Sequence, residues 1–164
     1  MRRLGTLIVS LLLLAGPTLA HAADASPGGA QLRLTPAEIT ALATTSAKAG
    51  TSGVAGIQTR VLSGDPSQPG LYTIEIRVPA NTRIQAHTHK DPRTATVISG
   101  TWFFGYGEVA GDTLVKALPP GSFYREPKDA PHFALTRQEP AVVQITGWGP
   151  TDTVYVDPAK APKP

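Results

Sequence analysis

The sequence predicts an all-β domain, a sandwich or closed barrel of short strands, with one short helix at its N-terminal side. Three observations carry this expectation. From Ile57 onward, polar and apolar residues alternate with period two and β-branched residues are frequent, the pattern of strands with one buried face. The alternating runs are short and are separated by turns rich in Gly, Pro and Asp, such as Gly64-Asp65-Pro66-Ser67-Gln68-Pro69-Gly70. Helix-start signals, by contrast, come together clearly at one place, before the first strand.

The chain begins with features of a secretory leader. Arg2 and Arg3 form a positive n-region, Leu4 to Ala15 an apolar stretch, and Ala20-His21-Ala22 a small-x-small cleavage pattern, so residues 1–22 are expected to be removed after Ala22. The apolar run falls short of the ~20 residues needed to cross a bilayer. Residues 23–53 are expected to form an extension, starting with a flexible stretch around Pro27-Gly28-Gly29. Within it, Thr35 offers a capping hydroxyl, Pro36 the first helical position and Glu38 the third, predicting a helix from Ala37 to Lys48 that ends near Gly50. Strands follow at 57–62 and 72–78, then at 83–89, 94–99, 101–106, 113–118, 122–126, 132–137, 140–146 and 153–156, giving one barrel over residues 54–157. Residues 158–164, rich in Pro and Lys, read as a mobile tail.

Composition bounds the function. The 164 residues are 41% hydrophobic and 16% charged, as expected of one domain with a core. There is no cysteine, which excludes disulfides, thiolate metal ligands and a lipid-modified cysteine. Losing Arg2 and Arg3 lowers Lys plus Arg from 15 to 13 against 12 acidic residues, so the formal charge drops from +3 to +1. No basic stripe remains for nucleic acid. The expected location is the periplasm or the exterior, with no membrane association after cleavage.

The leader holds one of the four histidines, His21; the other three are His87, His89 and His132. Alternate residues of a strand share a face, so His87 and His89 project together, and a distant strand folded against them would add His132. Three imidazoles gathered this way suit a divalent ion, although an HxH pair alone also fits a plain solvent-facing strand. Zn, Fe, Ni, Cu and Mn all accept imidazole, so the donors do not name the metal.

The two histidine segments resemble the two motifs of the cupin superfamily. Motif 1 is G(X)5HXH(X)3,4E(X)6G, and Asn81, His87, His89, Arg93 and Gly100 stand in its register. Motif 2 is G(X)5PXG(X)2H(X)3N, matched in spacing by Gly121, Pro127, Asp129, His132 and Thr136. Stretches such as Leu62-Ser63-Gly64-Asp65-Pro66 and Val97-Ile98-Ser99-Gly100-Thr101-Trp102 also resemble a group of secreted bacterial single-domain cupins. The resemblance implies a double-stranded β-helix, or jelly-roll barrel, with a divalent metal on His87, His89 and His132. It also implies a homodimer, for which residues 32–62 offer an amphipathic helix and a strand.

Asn81 and Asp129 replace motif glycines by residues that tolerate positive φ. Arg93 replaces the glutamate that usually supplies a fourth ligand. A unit positive charge ~5 Å from a divalent ion costs roughly 6–7 kcal/mol at an effective dielectric of ~20. Arg93 is therefore expected to turn outward, to pair with Asp91 or Glu126, or to receive a substrate carboxylate. Asp91 and Glu126 are alternative fourth ligands. Of the aromatics Trp102, Phe103, Phe104, Tyr106, Phe123, Tyr124, Phe133 and Trp148, most are expected in the core or at a subunit interface. Tyr124 and Arg93 are the candidate catalytic side chains. The resulting expectation is a metal-dependent cupin acting on a small organic molecule, as a dioxygenase or as an isomerase or lyase. The alternative is a cupin that binds or senses a metal or small ligand without turnover.

Overall fold

The computed structural model describes residues 31–45 and 49–163. The expected leader, its expected cleavage site and the first residues of the expected extension lie outside the described residues, as do residues 46–48 and Pro164. No helix among the described residues is long and apolar enough to cross a membrane.

The helix α1 is shorter than the sequence predicts, Pro36–Ala41 rather than Ala37 to Lys48. Its start is as expected: the Thr35 side chain accepts from the Glu38 backbone and the Glu38 side chain accepts from the Thr35 backbone, a reciprocal capping box. Its end is set by competition. Leu42 is extended, at φ −62° and ψ 147°, and Thr45 exchanges backbone hydrogen bonds with Thr59 at 2.8 and 2.9 Å. Thr44 and Thr45 are β-branched and gain little from helix, so edge pairing wins. No residue of α1 is buried, so it presents no packed apolar face to support further turns.

Ten strands follow: β1 Gln58–Ser63, β2 Gly70–Val78, β3 Arg83–Thr88, β4 Arg93–Ser99, β5 Trp102–Tyr106, β6 Lys116–Leu118, β7 Phe123–Glu126, β8 His132–Leu135, β9 Ala141–Gly149 and β10 Val154–Tyr155. They form two five-stranded sheets, β1-β2-β9-β4-β7 and β10-β3-β8-β5-β6, in which every pairing is antiparallel. From β2 on, the chain passes repeatedly from one sheet to the other, so neighbours in a sheet are distant in sequence. This is jelly-roll topology.

Inward-facing residues of both sheets meet in one core. Tyr72, Ile74, Val97, Val143 and Ile145 from the first sheet join Ile84, Trp102, Phe104 and Ala134 from the second. The aromatics divide: Trp102, Phe104, Tyr124 and Phe133 are buried, whereas Tyr106, Phe123 and Trp148 are exposed. Of the expectation that most lie in the core or at a subunit interface, the core part holds for the buried four. In the predicted tail, Pro158–Lys160 forms a 3₁₀ turn capped by Asp157.

The turn substitutions are placed as the motif spacing requires. Asn81 and Asp129 have φ of 54° and 56°, the left-handed region in which Asn and Asp are tolerated. Thr136 accepts a hydrogen bond from the Thr82 backbone at 3.0 Å and donates to Pro79 O at 2.5 Å, tying the end of β8 to the turn before β3.

Candidate metal centre

His87 and His132 face each other across the β3–β8 ladder as paired residues, and His89 lies just beyond the end of β3. A register shift between Ile84 and His87 marks a bulge immediately before the histidines, a common way of re-aiming side chains at a site. One ring nitrogen from each of the three histidines lies within 4.8 Å of the others, and all three side chains are buried.

Their second nitrogens are all held by backbone carbonyls. His87 Nδ1 donates to Gln85 O at 2.7 Å, His132 Nδ1 to Ala130 O at 3.1 Å, and His89 Nδ1 to Asp152 O. This fixes one tautomer, with the Nε2 lone pairs free to accept, the arrangement that orients imidazoles toward a metal. Burial lowers the pKa of each imidazole: His87 falls to about 3, with the neighbouring His132 adding to the effect. His89 falls well below its usual value, through burial and then the Arg93 charge, and His132 also falls through burial. Neutral imidazoles are the form a metal binds.

The site rests against Phe104, whose ring stacks on His132 at 5.4 Å, and Tyr155, whose ring lies 5.5 Å from His87. A cavity of about 30 Å³ touches the three histidines, Arg93, Tyr124 and Glu126, room for about one water molecule.

The sequence matches no family model and no curated protein. Among solved structures, the polyketide cyclase RemF from Streptomyces resistomycificus superposes with a TM-score of 0.64 at 16% identity, over 81% of this chain and 90% of that one. An RmlC-like cupin from Shewanella frigidimarina gives 0.48 at 16% identity, over 57% and 76%. The RemF likeness is one of fold. The DMSP lyase DddQ from Ruegeria pomeroyi gives 0.49 at 19% identity, over 57% of this chain but 47% of its own length. The chain thus spans about half the length of the DMSP lyases it matches.

Arg93 does not face outward. It is buried, and Nε and Nη2 both donate to Glu126 Oε2 at 2.5 Å. Nη2 also lies 2.5 Å from His89 Nε2, which accepts from it. The partner is Glu126 because β4 and β7 pair in a register that sets these two residues directly opposite. Asp91 is not the partner: it accepts from the Tyr72 hydroxyl at 2.8 Å. Burial pushes the Glu126 carboxyl upward, but the Arg93 guanidinium, with His132 and His87, outweighs it and holds the group below its usual value. Burial likewise disfavours charged Arg93, yet Glu126 keeps its pKa raised.

Tyr124 is buried in the cavity wall. Its hydroxyl accepts from Trp102 Nε1 at 3.1 Å, its ring lies 4.2 Å from Phe104, and burial followed by the Glu126 charge raises its pKa well above the usual range. It is therefore a neutral phenol near the histidines.

The residues fit an ion at two histidines and compete with one at the third. His132 Nε2 is buried without a hydrogen-bond partner among the described residues, as a ligand atom would be. His89 Nε2, however, is occupied by Arg93. Gln85, Ala130 and Asp152 are not legible as site residues in the sequence, since they act through backbone carbonyls. The only available trace is that two of them precede their histidine by two positions.

Proposed function

We propose that this protein is a metal-dependent cupin that acts on a small organic molecule at His87, His89 and His132. The observation that carries this reading is the convergence of three neutral, carbonyl-anchored imidazoles on one point inside the barrel. A divalent ion there would act as a Lewis acid toward a bound oxygen atom, or in the oxidoreductase version as a partner for oxygen. The residues around it supply the rest. Arg93 Nη1, buried and without a hydrogen-bond partner among the described residues, is a donor for an anionic group. Tyr124 is a neutral hydroxyl that can orient the molecule or hold a proton. Phe104 and Trp102 keep water out.

Elemental analysis of the protein purified from its native compartment tests the reading, with His89→Ala as control. About one equivalent of a transition metal, lost in the variant, is the expected result. An empty wild-type protein would refute it. Oxygen consumption with phenolic or thiol substrates then separates dioxygenase from isomerase or lyase chemistry. We also propose that the protein is a homodimer in the periplasm or outside the cell, a reading supported by the expected leader and the resemblance to cupins; light scattering tests the homodimer.

A second reading is a binding or sensing module that holds its ion without turnover. The 30 Å³ cavity favours it, because substrate pockets are commonly ~300 Å³ or more. Metal retained without turnover of any candidate substrate would select it.

A further inference from the structure

A carboxylate faces the histidine cluster from a strand that the cupin motifs do not use for one. Glu126 Oε2 lies 3.8 Å from His89 Nε2 and 3.7 Å from His132 Nε2. With metal–ligand distances of ~2.0–2.2 Å, neighbouring donors on one tetrahedral ion lie roughly 3.3–3.6 Å apart. Those two separations are therefore within a few tenths of an ångström of what a shared ion requires. The side chain is 4% exposed, so no solvent shell has to be removed to bring it to the ion.

We infer that Glu126 is the fourth protein ligand of the metal centre and that Arg93 is its positioning residue. The inference rests on the metal reading of the site proposed above. Arg93 occupies the motif-1 position that ordinarily carries the glutamate, and Glu126 is its direct partner across the β4–β7 ladder. The two strands have in effect exchanged roles: β7 delivers the carboxylate, and β4 delivers the cation that keeps it ionised and aimed. Strand alternation supports this. In β7, Tyr124 and Glu126 are buried while Phe123 and Arg125 are exposed, so Glu126 is an inward residue by register and not by a local distortion. Glu126 also answers the charge problem posed by Arg93. A buried guanidinium beside three neutral imidazoles opposes a divalent ion, and a buried carboxylate in the same contact cancels that charge locally. A metal on His89 Nε2 would require Arg93 Nη2 to release that nitrogen, and Arg93 could still hold the carboxylate through Nε.

The test compares Zn²⁺ and Co²⁺ binding by wild type, Arg93→Gln, the double variant Arg93→Gln/Glu126→Gln, and Glu126→Asp. Comparing Arg93→Gln with the double variant isolates the carboxylate without stranding a buried arginine. Glu126→Asp keeps the charge against Arg93 but withdraws the oxygen. Loss of residues that merely orient ligands weakens metal binding by about 10–100-fold, so loss of a ligand should weaken it at least as much. The expected result is that Arg93→Gln binds one ion and the double variant binds it at least about tenfold more weakly. The visible spectrum of bound Co²⁺ should also change, with Glu126→Asp shifted in the same direction. Equal affinity and an unchanged Co²⁺ spectrum in the double variant and in Glu126→Asp would overturn the role of Glu126 and leave the three-histidine site standing. Folded wild type and Arg93→Gln that bind neither ion would overturn the metal reading together with this inference.

Discussion

Arg93 is the residue on which the chemistry of this barrel turns, because its guanidinium joins the carboxylate of Glu126 to the acceptor nitrogen of His89 in a buried place. As long as it holds His89 Nε2, an incoming ion must displace it and tolerate its charge. Because Glu126 cancels most of that charge locally, loss of the hold on the carboxylate outweighs relief of the repulsion, and Arg93→Gln should bind Zn²⁺ about tenfold or more weakly than wild type. Competition against a coloured chelator measures this; equal or tighter binding would mean that Arg93 opposes the ion by charge at least as much as it aids it by aiming Glu126. A second residue-scale expectation concerns Gly100, whose φ is +69° and where a Cβ would lie 2.0 Å from Pro140 O. Gly100→Ala combines strain with a backbone clash and should cost about 2–4 kcal/mol in urea unfolding. A loss under 0.5 kcal/mol would show that the β4–β5 turn opens freely.

At the scale of elements, α1 and the strands rest on different supports. The helix has a full capping box but no buried residue, so its stability is local. Thr35→Ala should raise amide exchange at Glu38 and Ile39, reflecting about 1 kcal/mol of local stability, while the global unfolding midpoint stays within error. A lowered midpoint would show that the helix is coupled to the barrel more strongly than its exposure implies. The strands draw their stability from the core between the two sheets. Their positions were legible in the sequence because alternation and turn chemistry are local signals: all ten expected strands are present, shifted by a few residues at their ends. The end of the helix was less legible, because it depends on Thr45 pairing with Thr59, a contact that composition does not display.

At the scale of the molecule, the buried histidines make the metal-free fold sensitive to acid. Each imidazole titrates near pH 6.5 when unfolded and lower when folded, His87 at about 3. Between these values the unfolded chain binds more protons than the folded one, so stability falls as pH falls. The contribution is fully present above about pH 6.5 and drains toward pH 3, by up to about 1.4 kcal/mol per pH unit for each histidine. Glu126, lowered from 4.5, adds to the loss in the same direction at lower pH. Urea unfolding in EDTA at pH 7, 6 and 5 should give steadily smaller free energies, and a flat profile would contradict the depressed pKa values. At pH 7, Zn²⁺ at 100 times its Kd should stabilise the fold by about 2.7 kcal/mol, seen as a higher thermal midpoint. An unchanged midpoint would mean no preference for the native state.

The sequence by itself determined the all-β barrel and the grouping of His87, His89 and His132, because period-two alternation and motif spacing are properties of short stretches of chain. It also indicated that Asn81 and Asp129 could stand in for glycines, since tolerance of positive φ belongs to the residue type. It left the direction of Arg93 open between solvent, Asp91, Glu126 and a substrate anion. Only the tertiary structure decided that question, through the β4–β7 register that sets Arg93 opposite Glu126, 33 positions away in the chain. Register follows from how two sheets bury their inward faces together, so the contact that defines the site's charge exists only once the barrel has closed.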